Sequence, residues 1–380
     1  MTAKVARTRL QEIRWALGRE HTQERLAEFM LRQGRQRNLP VAAKSALLVM
    51  ISRWENGHDQ VTEPMYRMLF REYYGRTNEE LGFPPEAVDG ASEELRERLL
   101  TARSIDAATI ELFRRQVDNF RHIDRRLGAI ALLDQLNRQI QQIGDLLLYG
   151  TVRRHREALA AILAEAATLA GWEALDRTSL ALAWRHHETA KTAAREASSP
   201  SLLAYATAQQ AFLLIDLGNP AGAVELLDYA RSMYPTRIDD LLRCWLAAAH
   251  GEGLAEAGQR DAALRAFEEA NSALPTEAND PDLPYLMLNA VHLARWRGNA
   301  LASLGDKGAI ADLERVLASK TPTSLRATTG ALVSLAFAHS RIGDREAALS
   351  YSGQARQLAS RIGSERQKKR LGDLRLPDGP

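Results

Sequence analysis

The sequence lacks the features that disulfide-stabilised and membrane-bound proteins need. Its 380 residues contain one cysteine, Cys244, which excludes an internal disulfide and is typical of a protein in a reducing cytoplasm. No run of 18 apolar residues occurs, and the charged N-terminus has no apolar signal-peptide core. We therefore expect a cytoplasmic protein that has no membrane partner.

Motifs that carry chemistry are also missing. The sequence has no phosphate-binding loop, no Cys or His pairs at zinc spacing and no nucleophile motif. His186 and His187 are adjacent, so on a helix they point about 100° apart, which does not suit a shared metal. The sequence therefore predicts no enzyme activity, no metal site and no cofactor.

Positive charge is concentrated near the N-terminus. Residues 1–82 contain 14 Lys+Arg and 10 Asp+Glu, a net charge of +4, whereas the remaining 298 residues carry a net charge of −2. A basic segment of this kind favours contact with the phosphate backbone of a nucleic acid.

The first 83 residues predict a small helical domain. Apolar residues at helical spacing and polar cap residues predict one helix over 8–18, a second that begins after Thr22, and another over 63–74. A short turn is expected over 78–81. The whole segment therefore needs only one small core.

The stretch 45–57, SALLVMISRWENG, predicts the most informative helix. Ser45 is expected to cap its start, and Gly57 suits the left-handed turn that ends it. Ile51 and Trp54 share one face and are expected in the core, which leaves the other face for contacts outside the domain.

The second half of this helix, ISRWENG, resembles the recognition helix of the lambda-repressor-like (XRE) helix-turn-helix family. The TQERLA start after His21 is a second shared trait, and the resemblance covers about residues 7–83. It implies DNA binding, with recognition-helix side chains in the major groove and Gln23 against a phosphate. Residues 34–44, GRQRNLPVAAK, predict a basic loop that is longer than the usual turn. The candidate DNA-binding residues are Gln23, Arg35, Arg37, Lys44, Leu48, Val49, Ser52, Arg53 and Asn56.

The first turns of this helix depart from the family pattern. They carry four consecutive apolar residues over 47–50, which cover more than one helix face, so at least one is expected to point outward. An outward Leu48 or Val49 would touch thymine methyl groups in a DNA complex. The alternative is that this face contacts protein, which would make the chain an interaction adaptor.

The next part of the chain, 84–156, predicts helices without a repeat pattern. Phe83-Pro84-Pro85 interrupts the helical periodicity, because proline lacks the N–H and restricts the residue before it. Asp106 is a good cap for a following helix. We therefore interpret 84–156 as a helical linker region.

From about residue 157 the chain repeats itself. Turn glycines recur at Gly218, Gly258, Gly305 and Gly343. A small residue lies seven positions before each glycine, and Ala223, Ala263, Ile310 and Ala348 lie five positions after. Pro235, Pro275 and Pro322 lie seventeen positions after the first three glycines. A degenerate earlier unit is expected over 157–197, with Asp176 at its turn.

This pattern resembles the tetratricopeptide (TPR) repeat, with Ile310 as a departure and spacings longer than the usual ~34 residues. The resemblance implies a superhelix whose concave groove is lined by the first helix of each pair. Aromatic, amide and charged side chains at those positions suit a peptide or a small amphipathic ligand. The candidate ligand-binding residues are Tyr205, Gln209, Phe212, Trp245, Glu252, His292, Arg295, Asn299 and Phe337.

These expectations combine into one hypothesis. The chain is all-α, with a helix-turn-helix domain (1–83), the linker region (84–156), a TPR-like array (157–360) and a C-terminal cap or tail (361–380). The architecture resembles that of TPR-containing XRE regulators, most closely actinobacterial ones. It implies a transcription regulator that binds double-stranded DNA, senses a peptide or small-molecule effector or a protein partner through the array, and forms a homodimer.

Overall fold

The described part of the protein is helical throughout. A computed structural model describes residues 5–18, 20–84, 90–128, 132–150, 152–233, 238–276, 283–286, 288–319 and 324–377. These ranges hold 18 helices and no strand, which confirms the all-α class. The chain divides into two compact units, Met1–Leu95 and Arg96–Pro380.

The first unit is built from α1 (Arg9–Ala16), α2 (Gln23–Arg37), α3 (Lys44–Glu55) and α4 (Pro64–Tyr74), followed by turns over 78–82. The hydroxyls of Thr8 and Thr22 accept backbone N–H groups at the starts of α1 and α2, as predicted. The core is contributed by all four helices; its largest fully buried members are Leu26, Met30, Leu47, Ile51, Leu69, Phe70 and Leu81.

Two local predictions for α3 and the preceding loop were wrong. The N-cap of α3 is Ala43, with no side-chain cap hydrogen bond, so Ser45 lies inside the helix. The helix α2 continues through Arg35 to Arg37, so these two arginines lie in its last turns, and the loop is only 38–43. Gly34 explains the return of the chain, because a Cβ there would lie 2.7 Å from Val41 Cγ2.

The helix α5 (Gly90–Arg103) contains the division between the units. The second unit continues with α6 (Ala107–Leu127), α7 (Leu133–Tyr149), α8 (Arg153–Asp176), α9 (Leu180–Glu196), α10 (Pro200–Asp216), α11 (Pro220–Ser232), α12 (Asp240–Glu256), α13 (Arg260–Ala273), α14 (Ala290–Ser303), α15 (Gly308–Ala318), α16 (Leu325–Arg341), α17 (Arg345–Ile362) and α18 (Glu365–Gly372). The helices from α8 to α17 form five consecutive pairs, from α8 with α9 to α16 with α17. The first helices of successive pairs also contact each other.

The turns between paired helices follow the repeat pattern. Gly218, Gly258, Gly305 and Gly343 all have φ between +74° and +85°, a left-handed conformation that favours glycine. The helices of one pair also cross closely, because a Cβ at Gly251 would lie 2.8 Å from the Phe267 ring. In the fourth unit the buried residue lies four positions after the turn glycine and not five. Ala309 is buried there, and Ile310 is half-buried. Pro275 follows the end of α13, whereas Pro85, Pro235 and Pro322 lie outside the described residues.

The range 84–156 differs from a linker in its packing. Asp106 caps α6 as predicted, through a 2.8 Å bond from the Thr109 N–H. Phe113 and Val117 of α6 and Ile143 of α7 then enter a common core with α8. Most of this range is therefore part of the second unit, because its apolar faces are buried against the array.

The C-terminal range forms a cap. Ser364 starts α18, is fully buried, and donates from Oγ to Asp176 Oδ1 at the end of α8, 2.6 Å away. The array therefore returns to its own beginning and does not form an open superhelix.

The helix α8 has the length and composition of a membrane-spanning segment, but most of that segment is buried inside the second unit. This is the environment of a core helix, and it accounts for the Ala-rich sequence of α8. Cys244 is likewise a core residue, and burial raises the pKa of its thiol to about 12.

Candidate functional site

One face of α3 lies outside the core of the first unit. Leu47 and Ile51 are fully buried and Trp54 is 7% exposed, so they fix the inner face as predicted. Of the apolar run over 47–50, only Val49 is exposed, at 59%, while Leu48 and Met50 are half-buried. The outer face carries the exposed residues Ser45, Ala46, Val49 and Arg53, and Lys44 is exposed at the first position of the helix.

The cations on and near this face have weak internal partners. Lys44 pairs with Glu28, Arg37 with Glu72 and Arg53 with Asp59, and the side chains of all six are between a third exposed and nearly two thirds exposed. Exposed ion pairs of this kind contribute little to stability, because solvent screens both charges. Lys44, Arg37 and Arg53 can therefore exchange these carboxylates for another anion at little cost in free energy. Arg35 is exposed on α2.

Three polar residues of the predicted DNA-binding set are held inside the unit. Gln23 donates from Nε2 to Glu55 Oε2 at 2.7 Å, and Glu55 also accepts both guanidinium contacts of Arg14 at 2.7 Å. The Asn56 amide donates to the Ser52 carbonyl and accepts from Gln11. Ser52 is half-buried. The structure thus leaves Arg35, Arg37, Lys44, Val49 and Arg53 as the outward members of the set, with Leu48 half-buried beside them.

The second unit encloses a cavity of about 260 Å³. Eight of the nine residues predicted to line the groove surround it, and Phe337 lines a neighbouring cavity together with Asp216, Glu256 and Arg341. That these residues contact a ligand remains a prediction. The eight on the central cavity are Tyr205, Gln209, Phe212, Trp245, Glu252, His292, Arg295 and Asn299.

Aromatic rings form a continuous wall of this cavity. The Tyr205 ring lies 4.9 Å from Trp245 and 4.6 Å from Tyr285, measured between centroids. Trp245 in turn lies 5.5 Å from Trp296, and Phe212 bridges Trp296 and Trp172. Offset and edge-to-face contacts of this kind hold the rings in place.

Arg326 of α16 pairs with carboxylates of α6 and α8, near the start of the second unit. Its guanidinium lies 2.6 Å from Asp124 Oδ1, 2.8 Å from Glu173 Oε1 and 3.2 Å from Asp176 Oδ2. Burial opposes the Arg326 charge, but these carboxylates hold the pKa of the guanidinium well above its usual value. Burial also raises the pKa of Glu173 well above its usual range. The α6, α8 and α16 helices are therefore joined by one buried ion cluster.

A second ion pair brings α18 to the cavity. Arg366 makes two hydrogen bonds to Asp216, at 2.6 and 2.7 Å, and its guanidinium lies 5.7 Å from the Trp172 ring centroid. This fork geometry fixes both side chains. The next turn of α18 then places Arg370 on the cavity wall.

Some polar groups of the cavity have no partner. Glu252 and Arg295 form no ion pair with any described residue, although each perturbs the pKa of the other. Gln209 Oε1, Arg295 Nε and Asn299 Oδ1 are buried without a hydrogen bond among the described residues. Burial raises the pKa of Glu252 and lowers that of Arg295 to about 10. An unpaired buried polar group costs free energy, so a molecule that pairs with these groups would stabilise the folded unit.

Sequence reasoning missed 16 of the 24 residues that line this cavity. The ranges 84–156 and 361–380 had been set apart from the repeats, so their arginines were not considered as lining residues. The basic run of α18 after a serine cap was the available signal. The missed lining residues include Arg121, Asp124, Arg125, Glu165, Trp172, Tyr285, Trp296, Arg326, Arg366 and Arg370.

Comparison with known proteins adds no relative. No protein-family model, curated protein or solved structure matches this chain.

Proposed function

We propose that the protein is a DNA-binding transcription regulator, in which the first unit binds double-stranded DNA and the second unit senses a small ligand. The observation that carries the first half is the outer face of α3. It combines small, polar and cationic side chains with a single exposed apolar residue, Val49. A helix of this kind fits the major groove, where phosphates and base edges accept cations and hydroxyls.

The position of Arg53 and Arg35 supports the same proposal. Arg53 lies on the outer face of α3, and its partner Asp59 is itself about half exposed. Arg35 lies near the end of α2, the helix before α3. Contacts from two consecutive helices are what a helix-turn-helix uses to read bases with one helix and to cross the backbone with the other.

The adaptor hypothesis is less well supported. A protein-binding face needs a contiguous apolar patch, and the apolar run over 47–50 contributes only Val49 as a fully exposed side chain. The half-buried Leu48 and Met50 pack against the core of the first unit.

The second half of the proposal rests on the cavity. Aromatic walls with a few convergent polar groups are typical of small-molecule sites. We propose that a ligand in this cavity changes DNA affinity by binding one conformation of the protein more tightly than another. A homodimer would let two first units read two half-sites.

Salt dependence tests the DNA-binding half. Fluorescence anisotropy with a labelled duplex should show affinity that falls steeply with NaCl concentration, with a slope of about −0.9 per phosphate contact. Arg35→Ala should reduce the slope by about one contact. Arg76→Ala is the matched control, because Arg76 is an exposed arginine of the same unit that follows α4 and pairs with Glu80. Absence of binding at about 50 mM salt would refute DNA binding.

A further inference from the structure

The unpaired groups of the central cavity have a specific distribution of charge. Burial disfavours the charged forms of Glu252 on α12 and Arg295 on α14. The helices α12 and α14 contact each other. Two other buried arginines, Arg326 and Arg366, have carboxylates at 2.6–3.2 Å and raised pKa values. Among the described residues that line the cavity, one carboxylate, that of Glu252, and three guanidinium groups, those of Arg125, Arg295 and Arg370, form no ion pair.

Hydrogen-bonding atoms beside these charges match the same pattern. Asn299 is one helical turn after Arg295, so the two side chains share a face of α14. Asn299 Oδ1 and Gln209 Oε1 are unsatisfied acceptors, and Arg295 Nε is an unsatisfied donor. Arg370 adds a second cation whose pKa burial lowers, with Gln367 Oε1 at 3.3 Å as its hydrogen-bond partner. The Glu252 carboxylate and the unsatisfied amide oxygens suit an ammonium group, and the donors of Arg295 and Arg370 suit a carboxylate.

The size and walls of the cavity set the rest of the ligand. The volume of about 260 Å³ is just below the ~300–1,000 Å³ of pockets for drug-sized ligands, so the cavity suits a small ligand. Trp245, Trp296 and Tyr285 provide flat apolar surfaces for a ring.

We propose that the central cavity binds a small zwitterion with a planar side chain, that is, a free aromatic amino acid or a compound with the same charge pattern. Its carboxylate contacts Arg295 and Arg370, its ammonium contacts Glu252 and an amide oxygen, and its ring lies against the tryptophans. The inference rests on the sensor half of the proposed function. It commits that half to a single free molecule.

Calorimetric titration of the full chain tests the charge pattern. The probes are L-tryptophan, L-tyrosine, L-phenylalanine and L-histidine, together with tryptamine, which lacks the carboxylate, indole-3-propionate, which lacks the ammonium, and glycine, which lacks the ring. We expect at least one aromatic amino acid to bind, and glycine and the two single-charge analogues of tryptophan to bind at least about tenfold more weakly than that amino acid.

Two variants assign the contacts. Arg295→Gln should weaken the amino acid by at least about tenfold but leave tryptamine unchanged, because only the carboxylate contact is lost. Glu252→Gln should weaken the amino acid and leave indole-3-propionate unchanged or tighter, because an ammonium partner and a like charge are both removed. A merely structural role would also weaken tryptamine binding in Arg295→Gln and indole-3-propionate binding in Glu252→Gln. Arg265→Gln and Glu268→Gln on the exposed side of α13 are the matched controls.

The outcomes are separable. Absence of heat with all four amino acids at up to about 10 mM, or equal affinity for an amino acid and a single-charge analogue, overturns the proposal. Equal affinity for glycine overturns the role of the ring. The calorimetric titration contains no DNA, so a negative result in it leaves DNA binding to be decided by the salt titration. A negative salt titration, in turn, does not change the binding constants of the amino acids.

Discussion

The two units place their arginines differently. In the first unit Arg35, Arg37 and Arg53 are exposed, whereas Arg121 and Arg326 of the second unit are buried and Arg366 is nearly so. The first unit has one comparable inward pair, Arg14 with Glu55. An exposed arginine adds little to stability and can contact a polyanion, whereas a buried one must be paired and then holds helices together. The same residue type is therefore accessible to an outside anion in one unit and joins helices in the other.

Removal of a buried arginine should have the largest effect. Arg326→Ala leaves Asp124, Glu173 and Asp176 facing one another without a cation, and we expect the second unit to lose about 3–5 kcal/mol of unfolding free energy. Urea unfolding measures it. Arg37→Ala, which removes an exposed pair with Glu72, should cost less than about 1 kcal/mol. Equal costs for the two variants would remove the contrast between the units.

Trp54→Ala should destabilise the first unit by about 3–5 kcal/mol, because Trp54 packs against Tyr66 and Phe70 at 5.1 and 5.9 Å between ring centroids. Thermal unfolding of the variant measures the loss. The control is Trp15→Ala in the same unit, since Trp15 is 37% exposed and Trp54 is 7% exposed. Unchanged melting of Trp54→Ala together with lost DNA binding would contradict a core role and assign Trp54 to recognition.

Acid should weaken the second unit through His187. This imidazole is fully buried against Gly171, where a Cβ would lie 2.7 Å from the ring, and burial lowers its pKa to about 3. The folded state therefore keeps His187 neutral, so its stability is intact above about pH 6.5 and falls by about 1.4 kcal/mol per pH unit between that value and about pH 3.

Melting temperatures of the wild type and His187→Gln between pH 4 and 7 test this effect. The variant should show a shallower pH dependence, and His58→Gln, which changes an exposed histidine of the first unit, should behave as the wild type. A wild-type slope retained in His187→Gln would assign the acid sensitivity to other groups.

Arg53→Ala tests the outward side of the comparison. We expect specific DNA binding to weaken by about 1–3 kcal/mol, the contribution of one good base contact, with little change in melting. A gel-shift series against a selected duplex measures the loss, and Arg76→Ala should bind as the wild type. If Arg53→Ala binds equally well, Arg53 has only its surface pair with Asp59.

Several features of both units could be predicted from local sequence. The inward faces of Ile51 and Trp54, the caps at Thr22 and Asp106, and the left-handed turns at Gly218 and Gly343 all depend on residues a few positions apart. The start of α3 was predicted wrongly because Ser45 is a good cap by type, yet Ala43 occupies the cap position. Arg35 and Arg37 were assigned to a loop over 34–44, but α2 continues through Gly34, whose lack of a side chain gives Val41 room to pack on the helix.

The sequence by itself predicted eight of the residues that line the cavity, all on α10, α12 and α14, because the spacing from each turn glycine fixes a helix face. Only the tertiary structure decided that the array closes. Arg326 meets Asp124 across 202 residues, Ser364 meets Asp176 across 188 and Arg366 meets Asp216 across 150. No periodicity encodes contacts at such separations, since they depend on the summed small rotations of successive helix pairs. That Glu252 and Arg295 form no ion pair among the described residues is likewise a property of the folded unit. The sequence does not show which carboxylates and guanidinium groups will be close enough to pair.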